Sequence, residues 1–190
     1  MSVDVVFETH SWSVDNDRGV VTGWLDGALT ERGRLLAAEL GERRRSDGLA
    51  CVYTSDLGRA VETAEIAFAG TGIPIIQEWR LRECNYGELN GVTRARMDAE
   101  GPTRIDEPHP GGESWREAIL RVEGFLRELA ATPGGQRVLL IGHMATWYAL
   151  EHFVHGRPLA DVWQAKFRWR EGWSYRLSPP PHSPRTAGHL

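Results

Sequence analysis

Four short apolar runs recur along the chain: Val3–Glu8, Leu49–Thr54, Ile73–Gln77 and Arg137–Gly142. They are rich in β-branched residues and bounded by polar or turn-forming ones, so each predicts a buried strand. The segments between them follow a helical period. In "LTERGRLLAAELGERRRSDG", Leu35, Leu36, Ala38 and Leu40 form an apolar face. Thr30 is placed to cap that helix, and Gly48 follows an arginine run suited to its end. "SDLGRAVETAEIAFAGTG" predicts a second helix, capped by Ser55 or Asp56, with Ala60, Val61, Ala64, Ile66, Ala67 and Phe68 buried. A looser segment runs to about Gly112. "ESWREAILRVEGFLRELAATPGG" then buries Ile119, Val122, Phe125, Leu126 and Leu129, and "MATWYALEHFVHG" is again helical. Strand alternating with helix predicts an α/β fold: a three-layer α/β/α sandwich around a mostly parallel central sheet. Trp173–Leu177 is a candidate edge strand. No repeat or linker divides residues 1–178, which read as a single domain. The proline-rich tail, 179–190, is expected to be extended or mobile.

Composition narrows the function classes. A chain of 190 residues can bury a substantial core, and 41% hydrophobic with 25% charged residues is ordinary for a soluble protein. The net charge of -4 argues against a nucleic-acid surface. No apolar run is long enough to span a membrane and no secretory leader is visible, so a cytoplasmic location is expected. Cys51 and Cys84 form no CxxC pair and are expected as reduced thiols. The seven histidines lack metal-ligand spacing, so no metal is predicted.

In an open α/β sheet, ligands bind beyond the carboxyl ends of the strands. The first strand runs out at His10. The second is followed by "TSDLGR", which places Arg59 in the first turn of a helix. Beyond the third lies "WRLRECNYGELNG", with Arg80, Arg82 and Glu83, and the fourth ends at "LLIGHMAT", with His143. A lone histidine or arginine at a strand end is ordinarily a solvated loop residue or a cap. Together, the four exits suit a phosphoryl group. A neutral imidazole can attack phosphorus, a guanidinium and a second, preferably protonated, histidine can hold its oxygens, and a carboxylic acid can protonate the leaving oxygen. Free N–H groups at the helix starts add to that field. No cofactor is called for.

At these residues, over about Val3 to Leu177, the chain resembles the histidine phosphatase superfamily, the phosphoglycerate mutase-like fold. "THSWSVDNDRGVVTGWLDGALTERG" is similar to the family's R-H-G-E-x-x-x-N and T-G-x-x-D-x-x-L-T-x-x-G, with His10, Asn16, Thr22, Gly23, Asp26, Leu29, Thr30 and Gly33 in place. "YTSDLGRAVETAEI" matches S-x-L-x-R-A-x-x-T-A, "LRECNYGELNG" matches L-x-E-x-x-x-G-x-x-x-G, "PGGESWREAILRV" carries the P-x-G-E-S segment, and "IGHMATWYAL" holds the second histidine. The resemblance implies a phosphohistidine intermediate on His10, Arg59 and His143 on the phosphoryl group, Glu83 as proton donor, and polar contacts from Asn16 and Thr22.

The family's Arg-His-Gly is here Thr9-His10-Ser11. A threonine hydroxyl gives one neutral hydrogen bond where an arginine gives a charged fork. Another arginine, first Arg18, then Arg80 or Arg82, is a candidate to fill the gap, though a solvated loop charge is the plainer reading of Arg18. Alternatively the substrate brings different charge, or the site only binds. Survival of His10, Arg59, Glu83 and His143 together favours an enzyme. Only "VTRARMDAEGPTRIDEPH" separates Gly91 from Pro110, a short lid that resembles the phosphatase branch more than the mutases. The expectation is a metal-independent phosphatase acting on a small phosphorylated metabolite, with a phospho-ligand binder and a mutase or phosphotransferase as alternatives. A homodimer is allowed; nucleic-acid and membrane partners are not expected. Trp12 and Trp147 could wall a leaving group, but core or edge packing is the plainer reading. His109, His152 and His155 read as loop or helix-surface residues, and Arg43–Arg45 as a solvated helix end.

Overall fold

A computed structural model describes residues 2–165 and 167–178; the tail 179–190 lies outside the described residues. Strands β1 (Val3–Thr9), β2 (Cys51–Thr54), β3 (Ile75–Gln77), β4 (Arg137–Gly142) and β5 (Trp173–Leu177) form one sheet in the order β3-β2-β4-β1-β5. The first four run parallel, and β5 is an antiparallel edge on β1. The helices are α1 (Val14–Arg18), α2 (Glu31–Arg44), α3 (Gly58–Phe68), α4 (Arg94–Asp98), α5 (Trp115–Ala131), α6 (Met144–His155) and α7 (Leu159–Gln164). The sandwich read from the sequence is present, and the strand positions hold to within two residues, with β2 and β3 shorter at their starts.

Strand periodicity sends alternate residues to opposite faces. Val6, Val52, Leu139 and Ile141 meet α2 and α3, while Val5, Phe7, Val138 and Leu140 meet α5 and α6. The face of α5 is as read. The face of α2 is not. Its buried residues are Gly33, Ala37, Leu40 and Gly41, whereas Ala38 is exposed and Leu35 is 64% exposed. Backbone proximity is the reason: a Cβ on Gly33 would collide with the Trp12 carbonyl, and one on Gly41 with that of Ala67. Close approach selects small residues there, and Leu35 turns outward. Thr30 does cap α2, its hydroxyl accepting from Gly33 N–H. Helix α3 starts at Leu57 with no side-chain cap, because Asp56 is bound to Arg82 and Ser55 Oγ accepts only from Leu57 N–H. Cys51 and Cys84 are separate buried thiols. Among the described residues, no helix is long and apolar enough to cross a membrane.

Candidate active site

Strand β4 is inserted between β1 and β2, and the register makes their exits level: Thr9 pairs with Gly142, and Thr54 with Ile141. The chain leaving β1 at His10, β4 at His143 and β2 toward Arg59 therefore meets on one edge. The two imidazole centroids lie 5.1 Å apart. Arg59 reaches between them, with Nε 3.3 Å from His10 Nε2 and one terminal nitrogen 3.3 Å from His143 Nδ1. This guanidinium is 2% exposed and also donates to the carbonyls of Gly23 and Leu25.

These partners fix the tautomers, because a guanidinium only donates and a carbonyl only accepts. His10 Nδ1 lies 2.7 Å from Ser11 O and must donate, so Nε2 holds the lone pair, turned to Arg59. His143 Nδ1 accepts from Arg59, so its proton sits on Nε2, a buried donor without a partner among the described residues. One ring offers a nucleophilic nitrogen and the other a free N–H. Neither is an imidazolium: burial, then Arg59, lowers the His10 pKa to about 3 and holds that of His143 well below the usual imidazole value. The protonated second histidine anticipated from the sequence is thus neutral in this state.

Glu83 stands across the same edge. Its carboxylate accepts from the N–H groups of Cys84, Met144 and Ala145, the last two in the first turn of α6. The helix start anticipated for a phosphoryl group is taken up by Glu83. Residues not singled out from the sequence hold it there. Arg121 on α5 donates to the carbonyls of Arg80, Arg82 and Glu83 and pairs with Glu113, while Trp24 Nε1 donates to Glu83 O. The P-x-G-E-S segment was the available signal, since its Glu113 needs a cationic partner. Thr146 ties this segment to α6, accepting from His143 N–H and donating to Leu81 O. Gly142 is required beside it, where a Cβ would strike the Thr146 hydroxyl.

The remaining candidates divide. Thr9 and Asn16 line a cavity of about 500 Å³ that also holds His10, Glu83 and His143. The Asn16 side-chain oxygen is committed to Ser13. Thr22 is not on that wall; its hydroxyl donates to Asp15. Arg18 is 70% exposed and faces Asp15 at 4.0 Å, so it does not fill the gap beside Thr9. Nor do Arg80, held by Glu78 and Glu128, or Arg82, bidentate on Asp56. Ser11 replaces glycine without strain, since no non-glycine residue among those described has a positive φ, and its N–H is taken by Thr63 Oγ1.

Arg43 and Arg44 are not a solvated helix end. Both are largely buried against Glu8, with Arg44 Nε at 2.9 Å, and burial pushes the Glu8 carboxyl pKa up against their pull. Trp12 lines the cavity, whereas Trp147 is core, packed on Tyr148 and Phe167. His109 is buried edge-on against Tyr86, not on the surface; the loop after the lid folds inward there, bonded to Glu113 and Gly112.

The two imidazoles predict a pH dependence of stability. Each has a folded-state pKa below its unfolded value of about 6.5, so the unfolded chain binds the extra proton. Their stabilising contribution is complete above pH 6.5 and is lost as pH falls toward the folded value, at no more than about 1.4 kcal/mol per pH unit for each ring. Urea unfolding of the wild type and of His10→Asn between pH 7.5 and 4.5 checks this. The wild type should lose stability more steeply below pH 6.5; parallel curves would refute the buried neutral ring.

Comparison with known proteins shows the family and the fold. A model of the "Histidine phosphatase superfamily (branch 1)" matches residues 8–179. A Salmonella typhi protein named "Probable phosphoglycerate mutase GpmB" is 35% identical over 164 residues, covering 82% of this chain and 76% of its own. Among solved structures, Bacillus stearothermophilus YhfR superposes with a TM-score of 0.78 at 30% identity, covering 89% of this chain and 88% of its own. Mycobacterial glucosyl-3-phosphoglycerate phosphatase gives 0.73 at 28%, covering 85% and 84%.

Proposed function

Because the chain belongs to the histidine phosphatase superfamily, branch 1, we propose that it is a metal-independent phosphatase that hydrolyses a small phosphomonoester through a phosphohistidine on His10. The observation that carries this reading is the opposed pair of ring nitrogens beside Arg59: a lone pair on His10 Nε2 and an unpartnered N–H on His143 Nε2. The His10 lone pair forms the N–P bond as the ester P–O bond breaks. Glu83, carrying a proton, gives it to the departing oxygen. The resulting carboxylate then takes a proton from water, whose oxygen attacks phosphorus, the N–P bond breaks, and phosphate leaves with His10 restored. Arg59 and His143 donate to the phosphoryl oxygens throughout, and Thr9 and Asn16 lie where they add neutral contacts.

Hydrolysis is favoured over transfer by the lid between Gly91 and Pro110, which is built only from the short helix α4 and one 3₁₀ turn, Pro102–Ile105. Such a cover leaves water access that a mutase must restrict. The naming of the Salmonella relative favours the mutase alternative. A phosphorus-labelled aryl phosphate, supplied with excess 3-phosphoglycerate and a chelator, separates the readings. Label is expected in free phosphate, unaffected by chelator, with an acid-labile phosphoprotein trapped on quenching. Label arriving first in a second ester would favour the mutase, and binding without turnover a non-catalytic role.

A further inference from the structure

Resting on the phosphoryl site just described, we propose that this enzyme selects phosphomonoesters whose alcohol is a bulky, largely apolar or aromatic group, gripped by Trp12 and Trp169. The cavity containing His10, His143 and Glu83 has about 500 Å³, far more than a phosphoryl group occupies and within the range of drug-sized ligand sites. The leaving group must lie in the space that holds both nucleophile and proton donor. A neighbouring cavity of about 570 Å³ under the lid shares Arg94, Met144 and Phe167 but contains none of the three.

The sequence opens this space in two ways. Strand β5 begins at Trp173 opposite Phe7, so beyond that point no strand among the described residues pairs with the outer side of β1. Thr9 then puts a short side chain where the family pattern has an arginine. The walls exposed by this opening are mainly apolar: Trp12, Leu36, Leu40, Phe167 and Trp169. Trp12 and Trp169 remain 38% and 58% exposed. Trp12 is already fixed for stacking, with its Nε1 bonded to Asp17 and the Arg32 guanidinium 5.3 Å from its ring centroid. A rigid aromatic wall of this kind binds apolar bulk at small ordering cost. No excess of one charge selects here: besides Glu83, the walls carry Arg32, Arg43 and Arg94 together with Glu8, Glu39 and Glu171.

The test compares ethyl phosphate with 2-(2-naphthyl)ethyl phosphate, two esters of primary alcohols with similar leaving-group chemistry, and glucose 6-phosphate as a polar bulky control. The naphthyl ester should exceed ethyl phosphate in kcat/KM by about 100-fold, and the ratio should fall about tenfold in Trp169→Ala or Trp12→Ala. A wild-type ratio near one, a ratio unmoved in both variants, or glucose 6-phosphate outperforming the naphthyl ester would overturn the proposal. Calorimetry with the matching non-hydrolysable phosphonates gives the same ratio as Kd values. Absence of turnover on every ester would therefore count against the hydrolase reading, while the Kd ratio still decides this one.

Discussion

His10→Ala is expected to lower kcat on any phosphomonoester by at least about 10⁴-fold and to abolish the acid-labile phosphoprotein. The size follows from what the ring supplies. Its Nε2 holds a ring lone pair turned to Arg59, and Ser11 O fixes the tautomer that keeps it there. With alanine, water would have to attack phosphorus directly, aided only by Arg59, His143 and Glu83. Stability above pH 7 should change little, since there the imidazole is neutral in the folded and the unfolded chain alike and the desolvation penalty falls only on its charged form. His155→Ala is the control: that ring sits on the last turn of α6, where it faces Glu151 and Tyr175. Equal activity in the two variants would refute the assignment of His10.

Much of this site was legible in the sequence, and for a physical reason. Strand periodicity and helix capping act locally, so the ends of β1 and β4 could be placed and His10 and His143 recognised as strand-exit residues. Arg59 and Glu83 were read in the same way from the segments after the second and third strands, and the family pattern then implied their roles. What stayed hidden depends on contacts between distant segments. The role of Arg121 follows from three carbonyls 38 to 41 residues away, which no local pattern announces. The exposed leucine on α2 had the same origin: helical spacing identifies apolar positions, but Gly33 and Gly41 meeting backbone decides which face turns inward. The arginine run on α2 looked solvated because its partner, Glu8, lies on a strand that reads as apolar. Thr9 was legible as a departure, but its consequence was not. Which arginines stand near it is set by where each finds its partner: Arg18, Arg80 and Arg82 find carboxylates elsewhere, while Arg32, Arg43 and Arg94 line the cavity that Thr9 lines.

Arg59→Met should separate catalysis from stability. With no arginine at position 9, Arg59 is, among the described residues, the one guanidinium bonded to both histidines, so its loss should lower kcat/KM by at least about 10³-fold. Folding should respond far less. Burial pushes the Arg59 pKa down, with Glu83, Tyr86 and Asp15 only partly offsetting it, so the free protein holds this cation against its desolvation cost. An apolar side chain of similar length removes that cost, which for buried charges often leaves stability unchanged or improved by about 1–4 kcal/mol. Against this, the carbonyls of Gly23 and Leu25 lose their donor, a penalty of about 1–3 kcal/mol for each group left unpaired. The two effects are opposed and largely offset each other, and at their midpoints the unfolding free energy falls by about 1–2 kcal/mol. Stabilisation of the fold by added vanadate or phosphate, which the wild type should show, should disappear. Arg59→Lys keeps the charge without the fork and should recover part of the ligand response but little turnover. Activity of Arg59→Met within tenfold of wild type would mean that the phosphoryl group binds elsewhere.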